Sequence, residues 1–277
     1  MKEVTLYIPC YNAEAFIRKC LDSVMAQTYP IRELLIIDDG CTDKTLEIVK
    51  EYPQAKVIQH PGNLGLGAGR NTALKSAKTE FIANLDADCV AEPDWLEKLI
   101  SEMTEETLAG VGGKLLESYQ EALPDYWRSI HMKQHWGESI LRNPDWIWGH
   151  SALFRVSALR KAGGYNEQYR TNYEDLDISR RLRETGFDLA YQPEAVVKHL
   201  RRDTSLSVLR TRWRWTALGV HGPITLVEIL KNQGRNLGRV LKYAAQDLVH
   251  GRLSLLGLDF ALGFYSVYAD FRSLLCR

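Results

Sequence analysis

The chain has 277 residues, enough for one large domain or two small ones with a core that needs no disulfide support. Lysine and arginine number 35, as do aspartate and glutamate, so the net charge is zero and a nucleic-acid partner, which selects for a basic excess, is not expected. Hydrophobic residues make up 45% and charged residues 25%, which excludes wholesale disorder.

The first half of the chain alternates between strand and helix patterns. Short apolar runs predict strands at residues 4–10, 34–37, 56–59 and 81–85. Helical spacing and capping residues predict helices at 14–27 and 42–52, at the end of 65–77, and from Pro93 onward. Such alternation predicts a largely parallel sheet with helices on both faces.

The second half is less regular. Residues 117–148 hold four of the seven tryptophans. The pattern then predicts a strand at 150–154, a helix at 174–185 that ends before Gly186, and a last strand at 188–198. After residue 203 the pattern is helical to the end, so we place a boundary there.

The pattern of cysteines and of apolar runs indicates the cellular compartment in which the protein works. Five cysteines are scattered without a CxxC pair, so a disulfide framework or a zinc cluster is not expected and a reducing compartment fits. The first residues do not resemble a signal peptide, and no run of about 20 apolar residues predicts a spanning helix. We expect a cytoplasmic protein.

Polar clusters follow three predicted strands at their carboxyl ends, where open α/β sheets bind ligands. They are Tyr11-Asn12, Asp38-Asp39 and Asp86-Ala87-Asp88. Carboxylates as close as Asp86 and Asp88 repel each other unless a cation is shared with a ligand, and Mg²⁺ or Mn²⁺ prefers such oxygens. The alternatives are ordinary turns and, for Asp39, a helix cap instead of a contact with a base.

Three further features could carry chemistry. The glycine-rich segment 60–71 lacks the spacing of a dinucleotide fingerprint or a P-loop. Its glycines could admit a ligand close to the backbone, with Arg70 near phosphates, or could form a flexible turn. Glu174 and Asp175 begin a helix and suit either a general base or a cap. His199 follows a strand and is either a metal or phosphate contact or structural.

Two stretches suggest contacts with larger molecules. Trp146 and Trp148 could stack on an acceptor sugar or pack in the core. Residues 200–242 carry nine basic and two acidic residues. We expect salt-sensitive, peripheral membrane contact through residues 201–242. The alternatives are a solvated basic face and, for 253–265, packing on the catalytic domain or on a second subunit.

Seven segments in order resemble family 2 glycosyltransferases. They are I-P-C-Y-N-A-E (8–14), D-S-V-M-A-Q-T-Y-P (22–30), L-I-I-D-D-G-C-T-D (35–43), G-R-N (69–71), D-A-D (86–88), G-G-Y (163–165) and Y-E-D (173–175). The resemblance covers roughly residues 3–200. It implies an α/β fold of the GT-A type, with a mixed, largely parallel sheet flanked by helices. It also implies inverting, metal-dependent sugar transfer.

The resemblance implies roles for the matching residues. The donor site would be lined by Pro9, Tyr11, Glu14, Asp39, Arg70 and Asp86, with Tyr11 stacked on the base and Asp39 hydrogen-bonded to it. Asp88 would bind Mn²⁺ or Mg²⁺, with His199 as a second candidate ligand. Asp175 would be the base, with Glu174 beside it. Cys10 and Cys41 stand where the family usually has Thr and Ser. The Q-x-x-R-W motif of processive synthases does not occur in the sequence, so a processive synthase is not expected.

The expected protein is a non-processive glycosyltransferase, cytoplasmic or peripheral on the inner face of the membrane. Its catalytic domain spans 1–203, with a nucleotide-sugar half at about 1–115 and an acceptor half at about 116–203, and a helical extension spans 204–277. The expected donor is a UDP-sugar. The expected acceptor is a saccharide or a lipid-linked saccharide in glycan or cell-surface polysaccharide assembly. A homodimer is a further possible assembly. The alternatives are a nucleotidyltransferase acting on a sugar phosphate and a non-catalytic scaffold.

Overall fold

The structure is a computed structural model that describes residues 2–217 and 226–275. The chain forms two compact units. The sheet unit comprises Met1–Leu116 and Gln134–Leu200, and the helical unit comprises Glu117–Lys133 and Arg201–Arg277. Segment 117–133, which the sequence-based division places in the acceptor half, therefore groups with the C-terminal helices.

The elements are numbered in chain order. The strands are β1 (Val4–Cys10), β2 (Glu33–Asp38), β3 (Ala55–Gln59), β4 (Phe81–Leu85), β5 (Cys89–Ala91), β6 (Leu108–Glu117), β7 (Leu141–Arg142), β8 (Ser151–Arg155) and β9 (Asp188–His199). The helices are α1 (Ile17–Met25), α2 (Thr45–Val49), α3 (Leu66–Ser76), α4 (Trp95–Glu102), α5 (Leu123–His131), α6 (Val156–Lys161), α7 (Glu174–Glu184), α8 (Ser205–Ala217), α9 (Leu226–Val249) and α10 (Leu256–Leu275). The sequence analysis did not predict β5, β6, β7, α5 or α6.

The sheet has a parallel part and an antiparallel part. Its strand order is β3-β2-β1-β4-β8-β6-β9-β5, and β7 pairs with β9. The first four strands run parallel, as predicted, because helices connect them. β8 runs antiparallel to β4 and β6, and β5 and β7 run antiparallel to β9. The second half of the chain therefore makes the sheet mixed.

Successive residues of the central strands enter two different cores. Leu6 and Ile8 of β1 lie in one hydrophobic cluster, while Tyr7 lies in the other. Leu35 and Ile37 of β2 join the cluster of Tyr7. Because helices cover both faces, these strands are continuous apolar runs without the polar alternation of a half-exposed strand.

Strand pairing brings the polar clusters to one edge of the sheet. Cys10 pairs with Asp38 across β1 and β2, and the backbone N–H of Asp86 donates to the carbonyl of His150. β9 ends where Cys89 pairs with His199. Since parallel strands end at a common edge, these positions form the candidate site.

The helical unit has a core of its own. Its buried apolar residues are Trp127, Met132, Val208, Leu209, Tyr243, Leu255, Leu258 and Leu262. The prediction of helices after residue 203 is confirmed for 205–217, 226–249 and 256–275. None of the helices in these ranges, or in the rest of the described chain, has the length and apolar content to cross a bilayer.

The glycine-rich segment packs on the chain's own backbone. Leu66 N–H donates to the Arg170 carbonyl at 2.8 Å, and Gly67 N–H donates to the Tyr169 carbonyl at 3.2 Å. A Cβ on Gly67 would lie 2.7 Å from the carbonyl oxygen of Asn166. The backbone approach that these glycines permit is therefore to segment 166–170, and the first amides of α3 are already satisfied.

We predict that Gly67→Ala destabilises the protein by about 1–3 kcal/mol, because the added methyl group overpacks this contact. Gly62→Ala is the matched control, since a Cβ at Gly62 meets nothing within 4 Å. The measurement is the urea unfolding midpoint of both variants. Equal midpoints would contradict the predicted contact.

Candidate functional site

Arg70 of α3 lies at the centre of the site and is 1% exposed. Its Nη1 donates to the Tyr7 hydroxyl at 3.2 Å and to the Gly149 carbonyl at 3.1 Å. Its Nε donates to Glu174 Oε1 at 3.2 Å, and its Nη2 lies 3.5 Å from Asp86 Oδ1. One guanidinium thus joins β1, the end of β4, the segment before β8 and the start of α7.

The carboxyl groups around Arg70 hold their protons more tightly than usual. Burial raises the pKa of Glu174 to about 7, the charge of Asp175 adds to this, and Arg70 opposes it. Burial likewise raises the pKa of Asp86 to about 6, again against Arg70. Burial also raises the pKa of Asp175. One arginine does not neutralise three carboxylates, so a further cation would find a favourable place here.

Glu174 and Asp175 face different surroundings at the start of α7. Glu174 is buried against Arg70, and its Oε2 has no hydrogen-bond partner among the residues that the structure describes. Asp175 is half-buried, and its oxygens accept backbone N–H bonds from Gly149 at 3.2 Å and from Leu176 at 2.8 Å. Asp175 is therefore the more accessible carboxylate of the pair.

Asp88 and His199 meet at the same edge. His199 Nε2 lies 3.2 Å from Asp88 Oδ2, because β9 brings His199 beside Cys89. The side chains of Asp88 and Asp86 are 33% and 30% exposed. A carboxylate oxygen and an imidazole nitrogen, next to a second carboxylate, fit a divalent cation. The structure thus brings together the two residues that the sequence analysis proposed as metal ligands.

Asp39 anchors the loop before α3. Its Oδ1 accepts the Leu64 N–H and lies 2.8 Å from His60 Nδ1, and its Oδ2 accepts the Gly65 N–H at 2.8 Å. Asp39 therefore does not cap α2. Oδ2 accepts one hydrogen bond from the described residues, which leaves a lone pair for a ligand.

The other predicted donor-site residues lie around the ends of β1 and β2. Tyr11 is 54% exposed directly after β1, and Pro9 of β1 is half-buried. Glu14 Oε2 accepts the Lys44 N–H at 3.0 Å, while the Glu14 N–H donates to Asp43 Oδ2 at 2.9 Å. Glu14 thus joins two loops, and Tyr11 presents an open ring.

Three tryptophans form an aromatic cluster. The rings of Trp136, Trp146 and Trp148 lie 4.6 to 5.6 Å apart, and all three residues are half-buried. Trp127 differs, because it is fully buried in the helical unit and donates to Asp259. Trp127 is therefore a core residue, while Trp146 and Trp148 retain exposed surface.

His150 is a site residue that the sequence analysis missed. It is buried, its carbonyl accepts the Asp86 N–H, and within the described part of the chain neither ring nitrogen makes a hydrogen bond of normal geometry. Burial lowers the pKa of its imidazole to about 3, and the backbone of Gln134 opposes this shift only in part. The ring is therefore neutral. The sequence placed position 150 at the start of a strand, but only the β4–β8 pairing places it beside Asp86.

The helical unit holds a second cluster of ligand-type side chains. Single ligand atoms of His131, Asp247 and Asp259 lie within 4.8 Å of one another and could hold a metal ion. Arg252 donates to Asp247 at 2.7 Å, and Trp127 donates to Asp259 at 2.7 Å. Each carboxylate therefore already accepts a hydrogen bond from the protein, so the cluster also fits a structural role without a metal.

Comparison with known proteins identifies the family. A family model described as "Glycosyl transferase family 2" matches residues 5–163. The chain belongs to glycosyltransferase family 2. Both the resemblance and the enzyme class predicted from the motifs are confirmed.

Curated relatives in this family have several printed names. The "Pre-mycofactocin glycosyltransferase" of Mycobacterium tuberculosis (strain ATCC 25618 / H37Rv) is 29% identical over 206 residues, which is 72% of this chain and 43% of the relative. The "Chondroitin synthase" of Pasteurella multocida (strain Pm70) is 32% identical over 190 residues, 66% of this chain and 19% of the relative. The chain thus spans less than half the length of either.

Solved structures confirm the predicted GT-A-type fold. One is the mannosyltransferase PcManGT from Pyrobaculum calidifontis in complex with GDP-Man and Mn²⁺, with a TM-score of 0.63 and 19% sequence identity. The superposition covers 99% of this chain and 84% of the mannosyltransferase chain. S. aureus TarS 1-349 in complex with UDP-GlcNAc gives a TM-score of 0.59 at 19% identity, covering 83% and 70%. At this identity the likeness concerns the fold alone.

The raised pKa of Glu174 predicts a pH effect on stability. In the folded protein this pKa is about 7, above the ordinary value of 4.5. Between these pH values the folded state binds more protons than the unfolded state, so the free energy of unfolding falls as the pH rises. We expect Glu174→Gln, which cannot ionise, to lose part of this fall in the free energy of unfolding, and Asp86 and Asp175, whose pKa values are also raised, to supply the rest.

The measurement is urea unfolding of the metal-free protein across this pH range. Glu80→Gln is the control, because the Glu80 side chain is 53% exposed in its pair with Arg155. It should follow the wild type. A Glu174→Gln profile parallel to the wild type would show that Glu174 ionises normally.

Proposed function

We propose that the protein is an inverting, divalent-metal-dependent glycosyltransferase that moves a sugar from a nucleoside-diphosphate donor to an acceptor hydroxyl, without processivity. The observation that carries this proposal is the pairing of Asp88 with His199 at the sheet edge that also presents Asp175. A cation site and a base candidate are the two parts that inverting transfer needs.

The donor diphosphate would bind at Asp88 and His199. A bound Mn²⁺ or Mg²⁺ there offsets the negative charge of the leaving diphosphate. Asp86 contacts Arg70 and precedes Asp88 by two residues, so it would share the cation or accept a ribose hydroxyl. A neighbour of the same fold binds GDP-Man and Mn²⁺, and another binds UDP-GlcNAc, which supports a nucleotide-sugar donor.

Asp175 would act as the general base. Its two backbone hydrogen bonds hold the carboxylate in place, and its partial exposure lets an acceptor hydroxyl approach. Glu174 would position Arg70 and the start of α7 without taking the proton, because its Oε1 is engaged by the guanidinium. Removal of the hydroxyl proton makes the acceptor oxygen nucleophilic as the diphosphate leaves.

Substrate recognition is proposed for the remaining residues. Tyr11 would stack on the donor base and Asp39 would accept its imide N–H, as expected for a UDP-sugar, with Pro9 and Glu14 shaping the pocket. Trp146 and Trp148 would pack on the apolar face of an acceptor sugar. The acceptor would be a saccharide or a lipid-linked saccharide in polysaccharide assembly. The name of a relative, chondroitin synthase, supports this assignment.

We also propose a location, an assembly and a domain division for the enzyme. They are a cytoplasmic location, peripheral contact with the inner face of the membrane, a homodimer, and a catalytic domain over residues 1–203 with an extension over 204–277. Product analysis separates this enzyme from the alternatives. A nucleotidyltransferase would release pyrophosphate from a nucleoside triphosphate, and a scaffold would release nothing.

We expect Asp88→Asn to weaken Mn²⁺ binding, and Mn²⁺-dependent UDP binding, by about tenfold or more, because it removes an anionic ligand. The measurement is isothermal titration with each ligand. Asp94→Asn is the control, since Asp94 forms a surface pair with Lys98 and should bind as the wild type does. Unchanged Mn²⁺ affinity in Asp88→Asn would overturn the metal assignment.

We expect Asp175→Asn to slow sugar transfer by about 10²–10⁴-fold, because the shape is kept and the base is lost. Donor affinity should stay at the wild-type value. The assay is single-turnover transfer alongside a UDP titration. If Glu174→Gln loses transfer to this extent while Asp175→Asn retains it, the base has been assigned to the wrong carboxylate.

A further inference from the structure

Two helices of the helical unit expose apolar stripes. On α9 the residues Val227, Leu230, Leu237, Leu241 and Leu248 are each 56–61% exposed. Their spacing of three, four and seven residues places them on one face of the helix. On α10 the residues Phe260, Phe264, Val267 and Phe271 are exposed with the same periodicity. We call these nine residues the apolar stripes.

The opposite faces of the same helices bury polar groups. Alongside Val240 and Leu262, the buried residues are Asn232, Asn236 and Asp247 of α9 and Asp259, Ser266 and Asp270 of α10. Hydrogen bonds hold two of them, from Trp213 to Asp270 at 2.7 Å and from Arg252 to Asp247 at 2.7 Å. The hairpin therefore directs large apolar side chains outward, an arrangement that marks an interaction surface.

Among the side chains that the structure describes, which do not include that of Glu228, the exposed charges beside the stripes are all cationic. Lys231, Arg235 and Lys242 are exposed on α9, on the face next to its leucines. Every acidic side chain that the structure describes between residues 201 and 275 is buried. They are Asp203, Asp247, Asp259 and Asp270. The surface thus combines apolar and cationic groups with no described anion.

We propose that the apolar stripes of α9 and α10 bind the surface of a bilayer that contains anionic lipid. The leucine and phenylalanine side chains would enter the headgroup boundary, and Lys231, Arg235 and Lys242 would meet the lipid phosphates. A second copy of this chain fits less well, because a symmetric contact would bring two cationic faces together. This deepens the membrane proposal above and is independent of the catalytic roles.

The surface differs from the membrane contact that the basic composition of residues 201–242 predicts, which includes α8. Arg212 of α8 donates to the Tyr243 hydroxyl, and Trp213 donates to Asp270. These side chains therefore hold α8 within the helical unit. The bilayer contact lies on α9 and extends to α10, beyond the residues 201–242 of the sequence-based prediction.

The test is co-sedimentation of the full chain with vesicles of phosphatidylcholine, with and without phosphatidylglycerol, at low and high salt. We expect binding only to the anionic vesicles, weaker at high salt. The stripe variant, Leu237→Gln with Leu241→Gln, Leu248→Gln and Phe264→Gln, should lose binding. The charge variant, with Lys231, Arg235 and Lys242 changed to Gln, should bind about a hundredfold more weakly at low salt, at about fivefold per residue.

The control variant carries three comparable changes on the sheet unit, Leu116→Gln, Ile140→Gln and Leu141→Gln, at residues that are also exposed. It should bind vesicles as the wild type does. Circular dichroism and UDP binding should be the same in all variants, so a failure of the catalytic proposal would be seen separately.

Three results would overturn the proposal. The first is no wild-type binding to anionic vesicles, and the second is equal binding by the stripe variant. The third is a wild-type dimer in sedimentation velocity that the stripe variant loses, without vesicle binding, which would assign the face to a second copy.

Discussion

The buried charge of Arg70 is the constraint on which the site depends. Removing a guanidinium from water costs several kcal/mol unless its donors are satisfied. Here the partners come from four separate segments, through Tyr7, Asp86, Gly149 and Glu174. Each segment must therefore take its place for the arginine to be buried, which couples the parallel part of the sheet to the start of α7.

The same constraint sets the chemistry of the edge. Because Arg70 compensates only part of the surrounding negative charge, burial raises the pKa values of Asp86 and Glu174. The half-buried Asp175 and the Asp88–His199 pair lie on the open side of this cluster. A site short of positive charge, beside a more accessible carboxylate, suits a ligand that arrives as an anion together with a cation.

The helical unit follows a different rule. Its core buries Trp127 and a set of leucines, yet it also buries Asp247, Asp259 and Asp270. These carboxylates are held by tryptophan N–H groups and by Arg252, so hydrogen bonding and not apolar burial alone orients α9 and α10. Because the polar groups face the interior, the leucine face of α9 and the phenylalanine face of α10 point outward. Hydrophobic patterning alone would predict that these faces point inward.

The sequence pattern is sufficient to predict the parallel strands and the edge of the sheet that carries the site. Apolar runs locate β1 to β4, and parallel strands must end together, so the pattern alone places Asp39 and Asp86 at a common edge. The antiparallel strands, the burial of Arg70 against Glu174 and the position of His150 could not be predicted in this way. Nor could the different surroundings of two tryptophans, Trp127 in the core of the helical unit and Trp146 in the aromatic cluster. These depend on contacts between residues far apart in the chain, such as Arg70 with Glu174, which no local periodicity encodes.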